Sequence, residues 1–197
     1  MRLVEITPER HGVELAIAYA TPENFTGARI YGRAACYLHP QAAEMLARVA
    51  ALAAAQGLRL RVFDGYRPPE AQWVLWHHAP DPDFVADPRR GSPHSRGVAV
   101  DLTLVTEGGA PLAMGTEFDN MTPRAYHGDT GVAREAQRNR ALLLGLMTAG
   151  GWDHYTREWW HYQLFAPRTF PLIADGALAP PLMPAETTVA AASIAAQ

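Results

Sequence analysis

The stretch Gly97-Val-Ala-Val-Asp-Leu-Thr-Leu-Val105 alternates without a break, with Val98, Val100, Leu102 and Leu104 on one face of a strand and Ala99, Asp101 and Thr103 on the other. A strand of this kind belongs in a sheet whose apolar row is covered by a second layer. The neighbouring chain can supply that layer. Pro40 suits a first helical position, residues 41–56 are rich in Ala, Leu and Met, and Gly57 offers a stop, so a helix is expected here. Its stripe of Met45, Val49, Leu52 and Gln56 is expected to be buried. A second long helix is expected over 133–149, ended by Gly150-Gly151, and a short one over 68–78. Residues 13–20 and 58–63 alternate and read as strands, 152–155 and 159–165 as a closing hairpin, and the Pro- and Asp-rich 79–91 segment as loop. Helices and antiparallel strands in this order predict an α+β fold, a single domain with a central, mainly antiparallel sheet and helices packed chiefly on one side. The domain is expected over 1–174. The Ala/Pro-rich residues 175–197 are expected to be a poorly ordered tail.

Composition narrows the classes of function. With 17 Lys and Arg against 20 Asp and Glu, the net charge of −3 gives no basic excess for a phosphate backbone or an anionic membrane, so neither nucleic acid nor membrane is an expected partner. The single cysteine, Cys36, leaves no disulfide framework and no Cys-rich metal site. Any metal must use His and carboxylates. The first ten residues hold Glu5 and Glu9 and lack the apolar run of a secretory signal, while Arg48 and Arg59 break the Ala/Leu-rich region into stretches too short to span a bilayer. A cytoplasmic protein is the expectation, and oligomeric state stays open.

The segment carrying chemistry is Ser92-Pro-His94-Ser-Arg-Gly97 through Asp101, joined much later by Glu158-Trp-Trp-His161. Hydrolytic zinc sites use three protein ligands from His and carboxylate and keep a position for water, so His94, Asp101 and His161 make a complete open set, with Glu158 left over as a base. Each piece alone has a plainer reading. A His beside Ser and Gly is more often a loop hydrogen-bonder, and Asp101 could be paired with an arginine. Positions i and i+3 of a regular strand face opposite ways, so Glu158 is expected to precede the strand that holds His161.

In conjunction, Ser-x-His-x6-Asp with a distant Glu-x-x-His resembles the signature of the zinc D,D-peptidase superfamily, and within it the D-alanyl-D-alanine dipeptidases of the VanX type. Tyr19-Ala-Thr-Pro-Glu-Asn-Phe-Thr-Gly27, Asp64-Gly-Tyr-Arg-Pro68, Met114-Gly115, Phe118-Asp119 and Glu158-Trp-Trp-His-Tyr162 are similar to that family too, in its order, over roughly residues 13 to 165. The resemblance implies the hedgehog/D,D-peptidase-like fold and one Zn2+ per chain on His94, Asp101 and His161. It implies Glu158 as catalytic base and Arg67 facing the scissile carbonyl. Asp119 would anchor the free amine of a small dipeptide substrate, with Ser92 as helper and Asp64 supporting the arginine turn. The implied activity is hydrolysis of D-alanyl-D-alanine to two D-alanine. Two rivals are a peptidoglycan D,D-carboxypeptidase or endopeptidase of the same superfamily, and a zinc-stabilised binding module without turnover. Glu158 and Arg67 together argue against the last, since a structural site needs neither.

Other conspicuous residues have bland readings. Trp73, Trp76, Trp159 and Trp160 read as core or pocket lining. His77-His78 reads as a solvated helix end, and Cys36 as a small buried hydrophobe. His127 and His154 are candidates for supporting a metal ligand rather than being one.

Overall fold

A computed structural model gives the structure of the chain and describes residues 2–185. In chain order the elements are β1 (Val4–Ile6), α1 (Pro8–His11), β2 (Val13–Leu15), β3 (Cys36–Leu38), α2 (Pro40–Ala54), β4 (Leu58–Asp64), α3 (Pro69–His78), β5 (Ala99–Thr106), α4 (Arg134–Ala149), β6 (Asp153–His154) and β7 (His161–Gln163). The main sheet has the order β2-β4-β5-β7-β6, antiparallel except where β2 runs parallel to β4. A two-stranded ribbon of β1 and β3 stands apart from it. This is the expected mixed α+β architecture, with the alternating stretch at the centre of the sheet.

One face of the sheet is the expected apolar layer. Leu60 of β4 pairs with Leu104 of β5, and Val62 with Leu102, and all four side chains are fully buried. Helix α2 packs on β4 and on α4, and α4 packs on β5. Burying a side chain of this size contributes about 1.5–3 kcal/mol, so this row is a large source of cohesion. The buried face of α2 differs from the expected stripe. It is Ala42, Ala43, Leu46, Val49, Ala50 and Ala53, whereas Leu52 and Gln56 face solvent. Small alanines let the helix lie close against its neighbours, and the bulkier stripe lost to that closer fit.

Two further expectations are corrected. The strand expected over 13–20 stops at Leu15, and Ala18–Ala20 form a 3-10 turn that buries Tyr19. The tail is ordered as far as residue 185. Asp175 is buried, and its carboxylate accepts from the backbone N–H of Leu182 and Met183, both of which enter the core. The Leu182 carbonyl accepts from Gly32 N, and Arg33 reaches the Pro180 and Pro181 carbonyls. A carboxylate that satisfies two amides gives this Pro-rich segment a fixed path that its composition does not disclose. The remainder of the expected tail, 186–197, lies outside the described residues.

The last feature of the sheet positions the site. Between β4 and β5 the register steps by one residue, so that Val62 opposes Leu102 while Asp64 opposes Asp101. Strict alternation would aim Asp64 at the helices with Leu60 and Val62. The bulge turns it to the opposite face. Since Asp101 also pairs with His161 of β7, Asp64, Asp101 and His161 form one row across three strands.

Candidate active site

The polar row lies at one end of the three central strands, and the remaining site residues come from the connections at that end. His94 occupies a 3-10 turn, His94–Arg96, just before β5. Gly97 ends this turn at φ 68, where a Cβ would lie 2.6 Å from the Leu3 side chain, so glycine suits both the backbone and the space. Arg67 follows β4, and its N–H donates to the His94 carbonyl. Glu158 lies in the turn before β7, and His161 is the first residue of that strand, as the i, i+3 argument requires.

His94 Nε2 lies 3.1 Å from His161 Nδ1 and 3.2 Å from Asp101 Oδ2, and His161 Nδ1 lies 3.0 Å from Asp101 Oδ1. All three residues are buried, and this is the cluster able to hold a metal ion among the described residues. The outer nitrogens fix the ring states. His94 Nδ1 donates to the Gly65 carbonyl at 2.7 Å, and His161 Nε2 donates to Gln163 Oε1 at 3.2 Å. A carbonyl only accepts, so the inner nitrogens turn two lone pairs and a carboxylate toward one point. Such a group calls for a cation. Glycine is required at position 65, because a Cβ there would fall 2.6 Å from Cys36 Sγ of β3.

The charge balance points the same way. Asp64, Asp101, Asp119 and Glu158 gather here around one guanidinium, that of Arg67, and a divalent cation would offset the excess. Burial raises the Asp101 carboxyl, but positive charge in the cluster, carried by His94 and His161 when protonated, outweighs that and holds it well below the usual carboxylate range. Glu158 shows the opposite balance. Burial, then the charges of Asp101 and Asp119, push its carboxyl well above the usual range despite Arg67, and its Oε2 lies 3.9 Å from His161 Nδ1.

Arg67 is held at each nitrogen: Nε donates to Asp64 Oδ2 at 2.8 Å, Nη1 to Gln72 Oε1 at 3.1 Å and Nη2 to Asp101 Oδ2 at 3.3 Å. Its Cζ lies over the Tyr19 ring, 5.0 Å from the ring centre. Tyr31 Oη donates to Asp64 Oδ1, so the aspartate that holds the arginine is itself held. Tyr19 Oη donates to Asp119 Oδ2 at 3.0 Å. Asp119 adopts φ 59, a left-handed conformation that Asp tolerates better than most residues, and burial pushes its carboxyl up to about 8. Ser92 Oγ accepts from His94 N, which leaves its own hydrogen and one lone pair free.

A cavity of about 230 Å³ joins these groups: Arg67, Ser92, His94, Asp101, Asp119, Glu158 and His161 all line it. Apart from Asp64, which stands behind Arg67, the site residues named from the sequence border one space. Of the tryptophans, Trp160 lines the cavity and Trp159 is buried behind it, while Trp73 and Trp76 are half-buried on α3. His127 and His154 pair ring to ring at 5.2 Å, and His127 also stands edge to face against Tyr162, the residue after His161. Three contributors escaped the sequence reading: Gln72, Tyr31 and the Gly65 carbonyl. The Asp-Gly-Tyr-Arg stretch could have flagged the last, whereas a lone Gln in a short helix and a Tyr in an irregular segment carry no chemical signature. The 79–91 connection, read as loop, supplies a wall of the cavity with residues 82–86.

Residues 1–171 match the family model for Peptidase M15, described as D-Ala-D-Ala dipeptidase. The chain is 43% identical over 173 residues to the D-alanyl-D-alanine dipeptidase of Escherichia coli K12, a match spanning 88% of this chain and 90% of that protein. It is 35% identical over 175 residues to the protein of that name from Enterococcus faecium, covering 78% and 87% respectively. To that of Streptomyces coelicolor it is 35% identical over 181 residues, covering 78% and 86%.

Proposed function

The chain belongs to the D-alanyl-D-alanine dipeptidase family of M15 peptidases, and we propose that it hydrolyses D-alanyl-D-alanine to two D-alanine at the centre formed by His94, Asp101 and His161. The observation that carries the metal part of this reading is the convergence of two imidazole lone pairs and a carboxylate within 3.0–3.2 Å of one another. Nitrogen and carboxylate donors at this spacing suit zinc, whose bonds to such ligands are about 2.0–2.2 Å. When bound, one zinc per chain would polarise the substrate carbonyl and lower the pKa of water from about 15.7 to about 7.

The protein's own groups do the rest. Glu158, buried and raised in pKa, accepts the proton of the attacking water and returns it to the leaving amine. Arg67 is held at Nε by Asp64 and at Nη1 by Gln72, which sets its plane, so Nη2, on the longest of its three bonds, is the nitrogen that donates to the oxyanion formed at the scissile carbonyl. Asp119 receives the substrate's ammonium, which converts a carboxyl raised by burial into a paired carboxylate. Ser92 offers its free lone pair at the same end. A substrate without a free amine would leave Asp119 unpaired, at about several kcal/mol, which separates a dipeptidase from a wall-trimming carboxypeptidase. No described helix is long and apolar enough to cross a membrane. We place the enzyme in the cytoplasm, where its substrate is a free soluble dipeptide, whereas cross-linked wall lies outside.

Metal-loaded protein incubated with D-Ala-D-Ala, L-Ala-L-Ala and N-acetyl-D-Ala-D-Ala tests this through the alanine released. Turnover of the first alone is expected. Equal cleavage of blocked and free D-dipeptides would favour the carboxypeptidase, and no turnover of any would favour the binding module.

A further inference from the structure

Gln72 is a fully buried side chain with a single primary amide and two assignments. Its Oε1 accepts from Arg67 Nη1 at 3.1 Å, and its Nε2 donates to the Ala86 carbonyl at 2.7 Å. It stands in the first turn of α3, whose path is fixed by Pro68 and Pro69 directly after Arg67. Ala86 belongs to the 82–86 wall of the cavity. The far side of that wall is held by the other catalytic connection: the Asp83 carbonyl accepts from Tyr155 Oη, and the Asp83 carboxylate pairs with Arg157, one residue before Glu158. The wall therefore spans from the support of Arg67 to the turn that carries Glu158. The wall is seated by Val85 in the core and tied to the arginine by the Gln72 amide.

We propose that Gln72 is a positioning residue for the hydrolysis, setting the rotation of the Arg67 guanidinium with one end of its amide and keying the cavity wall to it with the other. The inference rests on the reading of Arg67 as the donor to the substrate's oxyanion. Asp64 on Nε fixes one point on the guanidinium; of the two further bonds that set its plane, the one from Nη1 to Gln72 at 3.1 Å is shorter than the one from Nη2 to Asp101 at 3.3 Å and does not involve the nitrogen assigned to the oxyanion. A planar donor out of alignment by a fraction of its bond length loses much of its effect on a developing charge.

The two ends of the amide can be separated. Gln72→Leu removes both bonds, while Gln72→Glu keeps an acceptor for Arg67 and removes the donor to Ala86. With zinc content and melting temperature checked, Gln72→Leu is expected to lower kcat by about 10²-fold, as misplacement of a reacting group by about 1 Å does. Gln72→Glu is expected to keep kcat within a few-fold and to raise KM. Both variants should be cut by trypsin after Arg89 or Arg90 faster than the parent, because the wall has lost its hydrogen bond to α3. Adding Gln72→Leu to Arg67→Ala should cost no further kcat, since there is no guanidinium left to orient. A fully additive loss, or Gln72→Leu and Gln72→Glu behaving alike in kcat, would overturn the proposal. If Arg67→Ala itself turns over normally, the reading of Arg67 has failed. If Arg67→Ala is crippled and Gln72→Leu is silent, only the role of Gln72 has.

Discussion

The two faces of β4 and β5 are built from the same strands and do opposite work. On the helix-covered face, Leu60, Val62, Leu102 and Leu104 meet α2 and α4 with no polar atom to satisfy. On the other, Asp64, Asp101 and His161 line up with Arg67, His94 and Glu158, all buried. Buried charges of this kind are held against a desolvation penalty, so the second face draws on the cohesion of the first. A catalytic surface of this polarity can be carried because the opposite row of each strand is wholly apolar.

Variants on the two faces should therefore separate activity from stability. His94→Ala should have the largest effect, releasing the metal and abolishing hydrolysis together; full zinc content by metal analysis would remove His94 from the ligand set. Glu158→Ala should keep stoichiometric metal and lose hydrolysis by about 10²- to 10⁴-fold. If its turnover were unchanged, the proton transfer would have to be assigned elsewhere. Leu104→Ala, on the covered face, should lower unfolding free energy by about 2–5 kcal/mol while kcat per folded molecule stays near the parent value. Were kcat to fall in step, the two faces would not be separable.

The smallest effect concerns pH. Burial, followed by the charges of His154 and Arg140, holds the His127 imidazole down to about 4. The unfolded chain would bind that proton from about 6.5 downward, so stability should decline as pH falls from about 6.5 to about 4. Denaturant melts across this window, repeated with His127→Gln, would show the slope shrinking in the variant. An unchanged slope would assign the acid sensitivity to other groups.

Much of this comparison was legible before the structure. The alternation of 97–105 marked the central strand and separated Asp101 from its apolar neighbours, and the i, i+3 conflict placed Glu158 ahead of the strand that holds His161. What escaped was non-local. Period-two reasoning assigns Asp64 to the wrong face, because a bulge is set by the pairing with β5 and leaves no mark in β4 alone. The bulky stripe of α2 lost to small residues for reasons of helix-to-sheet distance. Tyr19 left its strand pattern for a 3-10 turn that brings its hydroxyl to Asp119. Gln72 is an ordinary helical residue until the loop it bonds is folded beside it.

The ordered path after Asp175 gives the carboxyl end of the chain an influence beyond its composition. Leu182 seats its carbonyl on Gly32, the residue after Tyr31, whose hydroxyl grips Asp64, which in turn grips Arg67. Shortening the protein back to residue 174 would strip the cover from this relay and reach the guanidinium from a terminus that touches no substrate.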